Sequence, residues 1–171
     1  DMSNMAGEVI ASLLFAGAPD IYVLISSSGG DVEAGLNIFD LLENYPGKKT
    51  GIVFKEAGSM AAIILQACDE RIASTHADIL IHHISRNRVS LDVVTDTSGK
   101  RLEEVRDQMI ATQNFLYAIL CGRTKKTIEE IKRACSVDKP MLIEEALKFG
   151  LVDRILTKAD MAKIFSTSKP V

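Results

Sequence analysis

The sequence predicts an α/β fold with parallel strands. Three observations predict it. Short apolar, β-rich runs (IYVLIS, TGIVF, ILIHH) alternate with longer stretches of helical apolar spacing. The first two runs are continuous rather than alternating, as strands covered on both faces must be. Glycine or proline sits where many of the predicted elements end. The chain has 171 residues, 47% of them hydrophobic, which is enough for one core and too short for two ordinary domains.

The elements follow in order. Residues 2–15 read as an amphipathic helix carried by Met5, Val9 and Leu13 and stopped by Gly17 and Pro19. Residues 20–26 are a buried strand, after which SSSGG turns the chain. Residues 31–44 form a second helix with Val32, Leu36, Phe39 and Leu42 on one side, ended by Tyr45-Pro46-Gly47. Residues 50–54 are a second strand, and 59–67 a third helix, apolar nearly all round and therefore buried. RIAST and DILIHH are two short strands. Residues 85–99 are polar and aperiodic, as a loop or insertion would be. Residues 100–121 are a long helix capped by Gly122. Residues 127–134 are another helix, opened by a capping box of Thr127 and Glu130. Residues 141–149 are a short helix closed by Gly150, LVDRIL is a last strand, and 161–171 are a weakly patterned tail.

Composition excludes several function classes. The net charge is −3 and basic residues are scattered in pairs such as Lys48-Lys49 and Lys125-Lys126, with no basic stripe interleaved with aromatics, so no nucleic acid is expected as a partner. The longest apolar run, Met60–Leu65, is far too short to span a membrane. Cys68, Cys121 and Cys135 are odd in number and unclustered, which predicts a reducing, cytoplasmic setting and no zinc site. The first residues, DMSNMAGEV, lack the basic and apolar regions of a secretory signal.

The residues that carry chemistry each admit two readings. Ser59, in GSMAAIIL, is either a plain helix start or a nucleophile presented at one. Gly29-Gly30, between a strand and a helix, is either a tight turn or a place where backbone N–H groups approach a ligand. It is neither GxGxxG nor a Walker A loop. His82 and His83 point to opposite faces of an extended segment, so one can face a site while the other packs elsewhere. Most of the 23 carboxylates sit on polar helix faces. Asp138 differs, lying in the connector CSVDKP between two helices, and Asp153 in GLVDRI is its structural competitor.

Taken together, IYVLISSSGGDVEAGLNIFD, EAGSMAAIILQACDERIAS, ILIHH and EEALKFGLVDRIL resemble the proteolytic subunit of the Clp protease (the ClpP family), a family of serine peptidases. Glycine pair, serine, histidine and aspartate stand in that family's order. The resemblance runs from residue 1 to about 156, implying a single peptidase domain over 1–156 with a handle at about 85–122, followed by a tail at 157–171. It implies the ClpP/crotonase type of α/β fold, built of repeated β-β-α units with a protruding handle helix. Gly58-Ser59-Met60-Ala61 matches the nucleophile motif, and Leu80-Ile81-His82-His83-Ile84 the histidine motif, which selects His82. Counting back from the Glu145-to-Asp153 match places the family's triad aspartate on Asp138 without a gap. The implied oxyanion donors are the backbone N–H groups of Gly30 and Met60.

The implied activity is hydrolysis of peptide bonds in unfolded proteins or peptides inside a homo-oligomeric ring or double ring, served by an AAA+ unfoldase. No metal or cofactor is implied for this chain, with ATP entering only through that partner. The match departs from the family in places. Serines replace the asparagine and proline of Asn-Ser-Pro-Gly-Gly, and His83-Ile84 replaces Gln-Pro. The stretch from His82 to Asp138 is several residues longer than usual, and the family's N-terminal strand and axial loops have no counterpart ahead of the first helix. Two alternatives are a catalytically silent ring or scaffold subunit, and a related Ser-Lys signal-peptide-peptidase-like or crotonase-like enzyme.

Overall fold

A computed structural model describes residues 2–85 and 90–167. Its sheet is organised by one long strand. β1 (Ile21–Ser27) lies parallel along one edge of β2 (Lys49–Gly58), with Ile21 opposite Lys49 and Ile25 opposite Val53. The other edge of β2 is shared. Residues 50–53 pair in parallel with β3 (Glu70–Ala73), and residues 56–58 pair in parallel with β4 (Asp78–Leu80). β4 continues to β5 (Met141–Leu142) in antiparallel pairing, and β3 to β6 (Arg154–Ile155) in parallel. The described residues thus form a six-stranded sheet.

Helices pack on the sheet and on one another, but the face of the first helix carried by Met5 and Val9 does not lie on the sheet and stays exposed. α1 (Met2–Phe15) packs on α2 (Val32–Glu43), and α2 on α3 (Met60–Leu65). A one-turn α4 (Leu91–Val94) precedes α5 (Lys100–Thr124), which packs on α6 (Ile128–Val137). α7 (Ile143–Phe149) and α8 (Lys158–Thr167) follow. The core gathers Ile52, Val53, Leu65, Ile79, Ile131, Ile143 and Leu151, all fully buried. Each such side chain stabilises the fold by about 1.5–3 kcal/mol relative to exposure.

Local chemistry sets the ends. Asp31 caps α2, its carboxylate accepting the Ala34 N–H at 2.8 Å. Thr127 and Glu130 form the expected capping box on α6. Gly150 ends α7 in the left-handed region at φ +94°.

The structure corrects the sequence reading at six elements. β1 is not a fully buried strand: Ile25 is its one buried residue and Leu24 is exposed. Met141 and Leu142 do not open the helix that ends at Phe149 but form β5. β2 does not stop at residue 54: β4 supplies a new partner for Glu56, Ala57 and Gly58, which no apolar pattern marks. α5 does not end at Gly122 but runs to Thr124, and Lys125 takes the left-handed cap at φ +61°. In the aperiodic stretch 85–99, α4 supplies one helical turn, while residues 86–89 lie outside the described residues. The tail contains α8, because Asp160 accepts from Thr157 N–H and Oγ1 at the helix start and pairs with Arg154 at 2.7 Å. Residue 1 and the last four residues of that tail also lie outside the described residues.

Candidate active site

Two strand ends meet to make the site. β1 and β2 run in parallel, so the turn after each emerges at the same edge of the sheet. The turns touch without room for side chains between them. A Cβ on Gly29 would stand 2.6 Å from Ser59 Cβ and 2.7 Å from the Gly58 carbonyl oxygen. A Cβ on Gly58 would stand 2.8 Å from the Ser28 carbonyl oxygen. One turn further on, a Cβ on Gly35 of α2 would meet the Met60 side chain. The glycines therefore press the SSSGG turn onto the Ser59 turn, and Gly29 also sits at φ +103°.

Ser59 stands at this junction with φ +53° and ψ −122°, outside the regions non-glycine residues favour. Its N–H donates to the Leu80 carbonyl at 2.8 Å, which anchors the turn to β4. Its hydroxyl makes no capping hydrogen bond with α3. It lines a cavity of about 80 Å³ with Gly30, Met60 and His82. Val32, Ile63, Ile81, Ile84, Leu116 and Leu120 give that cavity an apolar wall. Among the described residues, the Gly30 and Met60 N–H groups have no hydrogen-bond partner. No lysine and no cysteine lines the cavity among the described residues. Burial pushes the thiols of Cys68 and Cys135 up to about 12 and about 11, so both stay protonated and unreactive.

The two histidines part company after β4. His82 lines the cavity. His83 is exposed and bonds elsewhere, Nδ1 to the Tyr117 hydroxyl at 2.7 Å and Nε2 to Ser136 Oγ at 3.0 Å. Asp138 is not brought into the cavity. It forms the left-handed C-cap of α6 at φ +49° and is exposed. Asp153 spends its carboxylate on the structure: it accepts the Arg71 backbone N–H at 2.7 Å and its Nε at 3.1 Å. Burial pushes the Asp153 carboxyl up, but the Arg71 hydrogen bonds outweigh it and hold the group below the usual carboxylate range.

Sequence reasoning missed Gln113, which lines the cavity and accepts the Ile84 N–H at 2.6 Å. Gln113 and Tyr117 lie four residues apart on α5, so both face the segment after β4. That spacing was readable, but nothing in the sequence ties it to residues 83 and 84. A larger groove of about 960 Å³ runs between α1, the sheet and α8. Its lining includes no serine and no histidine among the described residues, so the small cavity is the chemically competent one.

Fold and cavity together define a class: α/β proteins that present a strained serine beside a histidine where parallel strands end. A family model described as Clp protease matches residues 2–159. The ATP-dependent Clp protease proteolytic subunit of Streptococcus sanguinis (strain SK36) is 32% identical over 165 residues, covering 93% of this chain and 82% of that protein. The chain belongs to the Clp protease family, and its function is that of a serine endopeptidase. Neither the silent-subunit alternative nor the Ser-Lys alternative is favoured by these matches.

Proposed function

We propose that Ser59, His82 and Asp138 act as the catalytic triad of this endopeptidase. One observation carries the reading: Ser59 and His82 line the same cavity, beside the N–H groups of Gly30 and Met60, which have no partner among the described residues. Ser59 Oγ attacks the scissile carbonyl carbon while His82 accepts the hydroxyl proton. The carbonyl oxygen gains the negative charge, and the Gly30 and Met60 N–H groups donate to it; losing one such donor typically costs about 10²–10³ in rate. His82 then protonates the leaving amine, and water hydrolyses the acyl-enzyme by the same route. Asp138 holds the His82 imidazole in the required tautomer and stabilises the imidazolium. Its exposed place at the end of α6 fits a triad that closes on assembly or on substrate binding. This chemistry calls for no metal and no cofactor.

The substrate is an extended peptide or unfolded protein, and the apolar walls of the cavity suit a small apolar side chain next to the scissile bond. The assembly is a homo-oligomeric ring or double ring. The name of the Streptococcus sanguinis relative contains "ATP-dependent", which supports an ATPase partner that feeds the ring. Three free thiols support a reducing, cytoplasmic setting. The test is turnover of a fluorogenic peptide by wild type and Ser59→Ala. Turnover lost in the variant is expected, and equal turnover in both would remove Ser59 from the chemistry.

A further inference from the structure

His83 is one of two histidines, with His76, that the proposed chemistry does not use, and both its ring nitrogens are engaged. The positions of the protons follow from one more bond. Ser136 Oγ donates its only hydrogen to the Lys132 carbonyl at 2.8 Å, so it must accept from His83, and Nε2 carries the proton. Nδ1 is then an acceptor, and the Tyr117 hydroxyl donates to it at 2.7 Å. Tyr117 is 4% exposed, and burial raises its hydroxyl above the ordinary value, so it keeps the proton it donates. The two rings meet edge-on, with centroids 6.1 Å apart. Lys132 Nζ lies 5.9 Å from the centre of the Tyr117 ring.

Sheet pairing of β4 stops at Leu80. Side-chain bonds take over from there: Gln113 holds the Ile84 N–H, Tyr117 and Ser136 hold the His83 ring, and His82 lies between the last paired residue and these anchors. We propose that His83 is a positioning residue: with Gln113 it clamps the segment bearing His82 between α5 and α6, and so sets the orientation in which His82 meets Ser59. This rests on the proposed role of His82 as the base. The Ser136 bond also ties the segment to the end of α6, two residues before Asp138.

The test uses the full chain and reads three quantities: the rate of Ser59 labelling by a fluorophosphonate, and kcat and KM for a fluorogenic peptide. His83→Phe keeps a ring edge but loses both bonds. His83→Gln keeps an amide N–H close to where Nε2–H stood, and with it the bond to Ser136. Tyr117→Phe removes one oxygen from a buried ring and nothing else. His83→Phe lowers kcat and the labelling rate about tenfold or more, since small misplacements of a base are costly. KM changes less than kcat, because His83 itself does not line the cavity and Gln113 still holds its neighbour Ile84 in the cavity wall. His83→Gln restores most of the loss, and Tyr117→Phe shows a smaller fall in kcat.

Wild-type labelling in His83→Phe, with His82→Ala silent, overturns the clamp and leaves the triad standing. A fall in His83→Phe that tracks a lowered melting temperature and is not rescued by His83→Gln reduces His83 to a structural role, which also overturns it. Labelling that survives His82→Ala but not His83→Phe makes His83 the base, and both proposals fall.

Discussion

Ser59 is held at φ +53° and ψ −122°, a conformation that costs a non-glycine residue about 1–3 kcal/mol. Glycine adopts it freely. Ser59→Gly is therefore expected to melt higher than Ser59→Ala, by an amount corresponding to about 1–2 kcal/mol, while both are inactive. Equal melting temperatures would mean that the turn relaxes once the serine is gone. Strain of this kind persists only where neighbours enforce it, and here the enforcers are Gly29 and Gly58, whose missing side chains let the two turns close up. The GSMA and SSSGG motifs made Ser59 and the glycine pair legible in the sequence, and the strand rule separated His82 from His83 without saying which faced the site. His83 could not be assigned a partner, because Tyr117 and Ser136 lie 34 and 53 residues away in the chain. No local pattern encodes a contact of that range.

At the scale of elements, α5 and α7 use their glycines in opposite ways. Gly122 lies inside α5, is not at positive φ and has no atom within 4 Å of an added Cβ. Gly122→Ala is expected to stabilise the protein by about 0.5–1 kcal/mol. Gly150 sits at φ +94°, with the Thr124 carbonyl oxygen 2.9 Å from an added Cβ. Gly150→Ala is expected to destabilise by about 1–2 kcal/mol from the backbone alone. Thermal melting of the two variants should move in opposite directions. Had Gly122 been the cap that its position suggested, both would fall.

α8 offers a second case. Its patterning is weak, and it is held by ion pairs rather than by an apolar stripe: Arg154 bonds Asp160 at 2.7 Å and Glu70 at 2.7 Å. The Arg154 hydrogen bonds, with help from Thr157, hold the Asp160 carboxyl well below its ordinary value. A carboxyl depressed in the folded state contributes stability above its unfolded value of about 3.9, and that contribution is lost as pH falls toward the folded value. Wild type should lose stability between about pH 5 and pH 2, and Asp160→Asn should lose less over the same window. Parallel pH profiles would show that Asp160 is not held by Arg154 in solution.

For the whole molecule, parallel α/β layering was legible because β1 and β2 are marked by continuous apolar runs, although β1 is only partly buried; the strand order was not legible. What stayed hidden was the way β2 changes partner from β3 to β4, since Lys55 and Glu56 look like a strand end. The surface bears on assembly. Met5, Val9 and Phe15 on α1 are exposed, Phe15 at 94%, as are Leu102, Ile110 and Phe115 on α5. Apolar faces of this kind are what ring contacts would cover. Native mass spectrometry is expected to show an oligomer that Phe15→Glu weakens, whereas a monomeric wild type would contradict the ring.

The central claim is that Ser59 is an activated nucleophile. Intact-mass analysis after fluorophosphonate treatment tests it most directly, on wild type, Ser59→Ala and His82→Ala. One adduct on wild type, mapped to Ser59 and absent from both variants, is the predicted result. An adduct that persists in Ser59→Ala, or a folded and assembled wild type that takes none, would contradict it.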